Sequence, residues 1–326
     1  MIVLSEKDIH ALLTMDAAIE VVAETMKAVS RGEATLPLRQ IMPVGGPNML
    51  GLMPGAMEAP GCFGVKLVCL FPENPQLGYS SHQGAMVLFE TRHGAAIAMM
   101  NAGRLTAVRT AAASAVATRA LARDDSTVLT IVGTGEQAEV HLEAMLAVRP
   151  IRTVRIVGRR PERAEAFAAL ARSHHPDVSI EWGTDVKAAV DGADIVCTVT
   201  SASAPVLFGD WVRPGTHLNV VGASVPSKTE IDQDLVVRSA LFADYRPSIH
   251  AQAGELIGAI EAGRIGEDHV RAEIGEVLSG ERPGRTGVED VTLYRSLGIA
   301  AQDLACAHHC YELAKESGIG VDAPLD

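Results

Sequence analysis

The 326-residue chain is 48% hydrophobic and 21% charged, a globular composition that excludes wholesale disorder and a fibrous fold, and its length suits two ordinary domains or one large α/β unit. Lys+Arg of 28 against Asp+Glu of 40 gives a net charge of −12 with histidine neutral. General binding of nucleic acid or of an anionic membrane is therefore not expected, although a few converging cations would still hold a small anion.

In chain order, the N-terminal MIVLSEKDIH becomes charged too early for a signal peptide. Met15 to Arg31 carries Ala18, Ile19, Val22, Met26 and Val29 at three- and four-residue spacings and reads as a helix, capped by Thr14 or Asp16. Residues 36–60 are rich in Gly, Pro and Met, and Pro37, Pro43, Pro47 and Pro54 forbid a long helix there. The runs FGVKLVCLF, GAMVLFE and AAIAMM, separated by the turn signals NPQLG and TRHG, read as strands of a mixed or antiparallel sheet. RLTAVRTAAASAVATRALA, 104–122, is a helix by propensity.

From 128 to 221 strand and helix alternate. TVLTIVGTG, TVRIVGR, a short stretch at 178–181, ADIVCTVT and HLNVVGAS read as strands, and EQAEVHLEAMLAV, PERAEAFAALARS and TDVKAAVDGA as helices. Such alternation implies parallel strands with right-handed crossovers in a doubly wound sheet. The chain closes on SLGIAAQDLACAHHCYELAKESG, one amphipathic helix returning to the first domain. Cys306, His308, His309 and Cys310 share this helix but point in different directions, so no metal site is expected. The five scattered cysteines form no CxxC pair and fit a reduced, cytoplasmic protein. No apolar run reaches the ~18 residues needed to cross a bilayer.

The first strand–helix turn of the alternating region is Gly133-Thr134-Gly135-Glu136-Gln137-Ala138, the G-x-G-x-x-A form of the dinucleotide fingerprint. Gly133 permits the tight turn, Gly135 admits a pyrophosphate, Ala138 lets helix and strand pack, and the helix N-terminus offers free N–H groups. About 20 positions on, where an NAD-specific fold places an acid on the ribose 2′-hydroxyl, stands Gly158, followed by Arg159 and Arg160. Two guanidinium groups and no carboxylate favour NADP, with NAD possible. Lys66 interrupts an apolar strand and Arg109 an apolar, Ala-rich helix. A buried cation needs an anion; a bound carboxylate would serve, and so would a structural ion pair.

On GLMPGA (51–56), VKLVCLFPENP (65–75), HQGAMVLFE (82–90), LTAVRTAAASAVAT (105–118), IVGTGEQA (131–138), NVVGAS (219–224) and TLYRSLGIAAQDLA (292–305), nearly the whole chain resembles the ornithine cyclodeaminase/μ-crystallin family. The resemblance implies an α/β protein. A Rossmann-like dinucleotide-binding domain spans 123–302, and an α+β substrate-binding and dimerisation domain is made of 1–122 and 303–326. It also implies a homodimer that moves a hydride between nicotinamide and the α-carbon of an α-imino or α-amino acid. Arg39, Lys66 and Arg109 match the cations that hold the substrate carboxylate. Thr200, Val221, Gly222, Ser224 and Leu297 are the further expected cofactor contacts.

Cyclodeaminases of the family carry a glutamate where this chain has Gly51 and an aspartate where it has Ser224. Glycine cannot manage protons and serine has no useful pKa, so the resemblance points to the ketimine- and imine-reductase branch. Lys66 or His82 is then the expected proton donor or relay, and Ser224 the group that meets the substrate nitrogen or the nicotinamide amide. The alternatives are an alanine dehydrogenase-like enzyme, a cyclodeaminase, and an NADP-binding protein without turnover. The sequence leaves the imino acid open: cyclic imines, iminosuccinate and iminopropionate all fit. Residues 36–60 and Arg246–Gly258 are expected to shape that choice.

Overall fold

The computed structural model describes residues 1–324, and the chain divides into two compact units. One comprises Met1–Arg109 together with the chain from Gly298 onward; the other is Thr110–Leu297.

The first unit is built on a mixed sheet. Its strands run in the order Val321–Asp322, Ile2–Leu4, Ala96–Asn101, His82–Glu90, Cys62–Leu70, Asn48–Met57 and Ala34–Thr35, and Gln40–Gly45 pairs with Asn48–Met57 as a hairpin. The three apolar runs of the sequence thus form the sheet's centre. Met15–Ser30 is helical, with Thr14 rather than Asp16 as its cap, its hydroxyl accepting from the Ala17 amide. A preceding short helix, Glu6–Leu12, escapes a reading by apolar spacing, yet Ser5 and Asp8 form a capping box that marks its start.

Residues 36–60 are more regular than their prolines suggest, since a ten-residue strand runs straight through Pro54. Gln40–Gly45 pairs with that strand only as far as Leu52, and Ala34–Thr35 only from Ala56. Pro54 lies in the gap between these edge partners, where a strand tolerates a residue without an amide.

The second unit carries an all-parallel sheet ordered Ser179–Gly183, Thr153–Val157, Val128–Val132, Ile195–Thr198, His217–Val220, Thr292–Arg295, Ala240–Ala243 and Val270–Glu273. The first five strands follow the doubly wound pattern, and the order reverses between Val128–Val132 and Ile195–Thr198. Such a switch point opens a crevice at the strands' carboxyl ends.

The close of the chain departs from the sequence reading. The last long helix spans Ala300–Ser317 and does not begin at Ser296. Thr292–Arg295 is a strand of the parallel sheet, and Gly298 adopts φ +73°, a left-handed turn that stops a helix from starting earlier. None of the described helices is long and apolar enough to cross a membrane.

Candidate functional site

In the first unit the three cations singled out in the sequence converge. Lys66, 1% exposed, projects from the strand Cys62–Leu70. Its Nζ lies 3.0 Å from Oδ1 and 2.8 Å from Oδ2 of Asp303, a fully buried residue in the first turn of Ala300–Ser317. Arg109, 4% exposed in the helix Ala102–Leu121, donates from Nε to the same Asp303 Oδ1 (2.9 Å) and from Nη1 to Gln302 Oε1 (2.8 Å). Its Nη2 donates to no described residue. Arg39, half-buried just before the strand Gln40–Gly45, donates from Nη2 to the Gly298 carbonyl (2.7 Å). A Cβ on Gly298 would collide with the Arg109 guanidinium, so the same glycine touches both arginines.

The anion these cations need is thus partly supplied from within. One carboxylate against two buried cations leaves a positive excess. Burial, then the charge of Arg109, push the Lys66 ammonium down to about 7 against the pull of Asp303, and Arg39 lowers it further. Asp303 and Gln302 were not anticipated. The signal was present: Asp303 interrupts the apolar stretch GIAAQDLACA just as Lys66 and Arg109 interrupt theirs.

Strand register shows what lies along the sheet from Lys66. Lys66 is opposite Met53 and Met86; the next row on the same face is Gly51, Val68 and Gly84; the row beyond is Met49, Leu70 and His82. His82 therefore shares the face of Lys66 but lies four residues along, ~13 Å by strand rise. It is exposed, its Nδ1 2.9 Å from the Ser81 hydroxyl. A Cβ on Gly51 would stand 3.1 Å from Val68 Cγ1, which leaves no room for an acidic side chain unless Val68 moves.

In the second unit the glycine fingerprint occupies the switch point. Gly133 follows Val128–Val132 with φ +134°, and a Cβ there would sit 2.7 Å from the Val199 carbonyl oxygen on the neighbouring strand's exit. Gly135 caps the helix Glu136–Val148 without a side-chain cap, and a Cβ on it would meet nothing within 4 Å. Ala138 is fully buried; Thr134 and Gln137 are half-buried, and Glu136 is exposed. These features fit a dinucleotide, since a pyrophosphate would lie where that Cβ would point, against uncapped amides and the positive end of the helix dipole. Gly158 is buried, and a Cβ there would come to 2.5 Å from Thr134 Cγ2, so an acidic residue at this position would require Thr134 to move. Arg159 and Arg160 are exposed, and neither side chain bonds any described residue.

Further along the same sheet edge, Thr200 and Gly222 both bond the buried carboxylate of Glu230. Val221 donates to the Thr198 carbonyl, and Ser224 is half-buried in the loop after His217–Val220. Leu297 is 5% exposed, its amide held 2.8 Å from Asp244 Oδ2. Arg295, buried, pairs with Glu255 and donates to the carbonyls of Val220 (3.1 Å) and Ala223 (2.6 Å). Glu230, Glu255 and Arg295 were also missed, because each lies outside the fingerprint and meets its partners only through tertiary contacts.

Residues 1–318 match the Ornithine cyclodeaminase/mu-crystallin family model. A Delta(1)-pyrroline-2-carboxylate reductase of Bacillus cereus is 33% identical over 322 residues, 98% of each chain. The ketimine reductase mu-crystallin of Mus musculus is 37% identical over 282 residues, 86% of each. Among solved structures, the Thermococcus litoralis Delta(1)-pyrroline-2-carboxylate reductase, in complex with NADH and L-proline, superposes with a TM-score of 0.96 at 34% identity, covering 99% of this chain and all of that one. An archaeal alanine dehydrogenase, described as a dimer with bound NAD, gives 0.93 at 29% identity over 100% and 99% of the two chains.

Proposed function

The chain belongs to the ornithine cyclodeaminase/mu-crystallin family, and from that premise we propose that it is a nicotinamide-dependent oxidoreductase that reduces a cyclic α-imino acid to the corresponding L-amino acid. The observation that carries this reading is the buried trio of Lys66, Arg109 and Asp303 with Arg39 beside it. It holds more positive than negative charge and keeps one guanidinium donor unengaged by any described residue. A substrate carboxylate would supply the missing anion, with charge-assisted hydrogen bonds from arginine.

The bound nicotinamide would supply the hydride. The protein's part is then positioning and charge. Arg39, Lys66 and Arg109 hold the carboxylate and thereby orient the imine carbon. Asp303 and Gln302 hold Lys66 and Arg109 in place. Lys66, whose ammonium is pushed down to about 7, can carry the proton the imine nitrogen needs; Ser224 is the group we assign to the nicotinamide amide or the substrate nitrogen. His82, at the exposed end of its strand, we place as a relay at most.

The side-chain class follows from the row beyond Lys66. Gly51, Val68 and Gly84, then Met49 and Leu70, offer an apolar floor with the exposed His82 at its outer end and no lysine or arginine among these residues. A second carboxylate would need one, and a diamino acid would need the acids that Gly51 and Ser224 replace. The pyrroline-2-carboxylate reductases among the relatives support a five- or six-membered cyclic ketimine. Purified protein is expected to oxidise NAD(P)H with pyrroline-2-carboxylate or piperideine-2-carboxylate well ahead of oxaloacetate plus ammonia. Dinucleotide binding without turnover on any imine would instead establish the binding-protein reading.

For the cofactor, Arg159 and Arg160 beside the uncapped helix Pro161–His174 support NADPH over NADH. Replacing Arg159 by Asp and Arg160 by Ala is expected to move the ratio of kcat/KM values towards NADH by about 10²-fold, as expected for losing one or two charged contacts of about 1.5–3 kcal/mol each. An unchanged ratio would remove both arginines from the 2′-phosphate pocket.

Carboxylate binding should also be proton-linked. The free protein loses the Lys66 proton near pH 7, and a bound carboxylate favours the charged lysine, so binding takes up a proton. Affinity for L-proline is expected to fall as pH rises above about 7. Calorimetry in buffers of different ionisation enthalpy reads the uptake directly, and a pH-independent affinity with no uptake would take Lys66 out of the site.

The far face of the first unit's sheet supports a homodimer. Leu52, Phe63, Val65, Leu67, Val87 and Phe89 are only partly covered there, Met99 is 41% exposed, and Phe63 stacks on Phe89 at 5.2 Å. A second copy is the occupant we assign, as in the dimeric alanine dehydrogenase. Light scattering after size exclusion is expected to give twice the 34.3 kDa chain mass; a monomer would leave this face without its partner.

A further inference from the structure

Glu230 is a fully buried carboxylate that the reaction above does not use. It accepts four hydrogen bonds: from Thr198 Oγ1 (3.0 Å), the Thr200 amide (2.7 Å), Thr200 Oγ1 (2.7 Å) and the Gly222 amide (2.6 Å). No cation of the described residues pairs with it. A buried ionised carboxylate is costly unless its lone pairs are met, and its roughly four lone-pair sites are all engaged. Its own carbonyl accepts from the Val206 and Leu207 amides (2.8 and 3.1 Å), which fixes it from behind.

The groups it ties together are informative. Thr198 ends one parallel strand and Gly222 follows the next, at the carboxyl edge where a sheet of this kind binds its ligand. There is no slack between the loops: a Cβ on Gly222 would collide with the Thr200 backbone and with Glu230 itself. From the other side Arg295 holds the carbonyls of Val220 and Ala223. Consecutive backbone groups leading to Ser224 are thus pinned by two buried charges of opposite sign.

We propose that Glu230 is a positioning residue for the nicotinamide end of the dinucleotide, holding residues 198–200 and 221–224 at the spacing that receives the ring. This rests on the dinucleotide reading given above. Glu230→Gln keeps the shape but turns one acceptor oxygen into an NH₂ donor, so at least one of the Thr200 and Gly222 amides loses its acceptor.

The test compares ligands with and without the nicotinamide half. In Glu230→Gln the Kd of NADPH is expected to rise at least about tenfold, the equivalent of one buried hydrogen bond, while the Kd of 2′,5′-ADP stays within about twofold. In the ligand-free protein, amide hydrogen exchange at Thr200 and Gly222 is expected to accelerate at least about tenfold on the same grounds. If that variant does not fold, Thr200→Val removes one donor to Glu230 at similar volume and should show the same split at smaller amplitude. Equal losses for both ligands, or no loss for either, would overturn the proposal. Wild-type protein that binds none of NADPH, NADH and 2′,5′-ADP would overturn the dinucleotide reading; wild-type binding without the split in the variant overturns only the role of Glu230.

Discussion

Asp303→Ala is expected to lower the stability of the protein by about 3–5 kcal/mol, the usual cost of removing one member of a buried ion pair. The reason is charge. Lys66 and Arg109 both lie on Asp303, and without it two buried cations face each other. The loss should depend on pH with a defined sign. In the folded protein Lys66 titrates near 7, whereas in the unfolded chain it titrates near its ordinary ~10.4. The unfolded state therefore binds more protons between these values, and stability rises with pH across that window. Removing Asp303 takes away a group that raises the Lys66 pKa, so the variant's window opens at lower pH. The deficit relative to wild type should be larger at pH 6 than at pH 9. Urea unfolding at the two pH values measures it, and millimolar acetate should recover part of the loss by entering the vacated anion position. A deficit below ~1 kcal/mol at pH 6, in the range of an exposed pair, would mean that the three groups are not the desolvated cluster described here.

Arg109→Ala is expected to cut kcat/KM for the imine by about 10²–10³-fold, in line with about 2–5 kcal/mol for truncating a buried, hydrogen-bonded charge partner. The Kd of the dinucleotide should change by less than about twofold, because no fingerprint residue bonds Arg109. Two of its nitrogens are engaged by Asp303 and Gln302 while Nη2 meets no acceptor among the described residues. The side chain is thus held rigidly with one donor to spare, the arrangement expected of a preorganised carboxylate clamp. Arg109→Lys should recover little, since an ammonium cannot serve Asp303, Gln302 and a substrate at the guanidinium's fixed angles. Unaltered imine kinetics in a folded Arg109→Ala protein would remove the residue from the substrate site and leave it a purely structural partner of Asp303.

The central elements of both units were legible because their signals are local. Apolar runs punctuated by NPQLG and TRHG mark three strands, and alternation after Val128 marks the parallel sheet. The course of 36–60 was not legible, because Pro54 reads as a breaker until its strand's edge partners are known. Nor was the start of the last helix, which depends on Thr292–Arg295 finding a place among parallel strands far away in sequence.

The amino-acid sequence by itself determined the glycine turn at Gly133–Gly135, the lack of an acid at Gly158, and the presence of Lys66 and Arg109 as charges set in apolar surroundings. Each follows from residue type and short-range period, which the chain carries without reference to distant neighbours. Tertiary structure alone decided what those charges meet. Asp303 lies 237 residues from Lys66 and 194 from Arg109, and Glu230 gathers donors from two different strand ends. The apolar row beside Lys66 likewise depends on strand register, where a slip of one residue would turn every side chain to the opposite face. Spacing along a chain encodes which face a residue occupies on its own element; only packing between elements brings opposite charges, and the donors for a buried carboxylate, into contact.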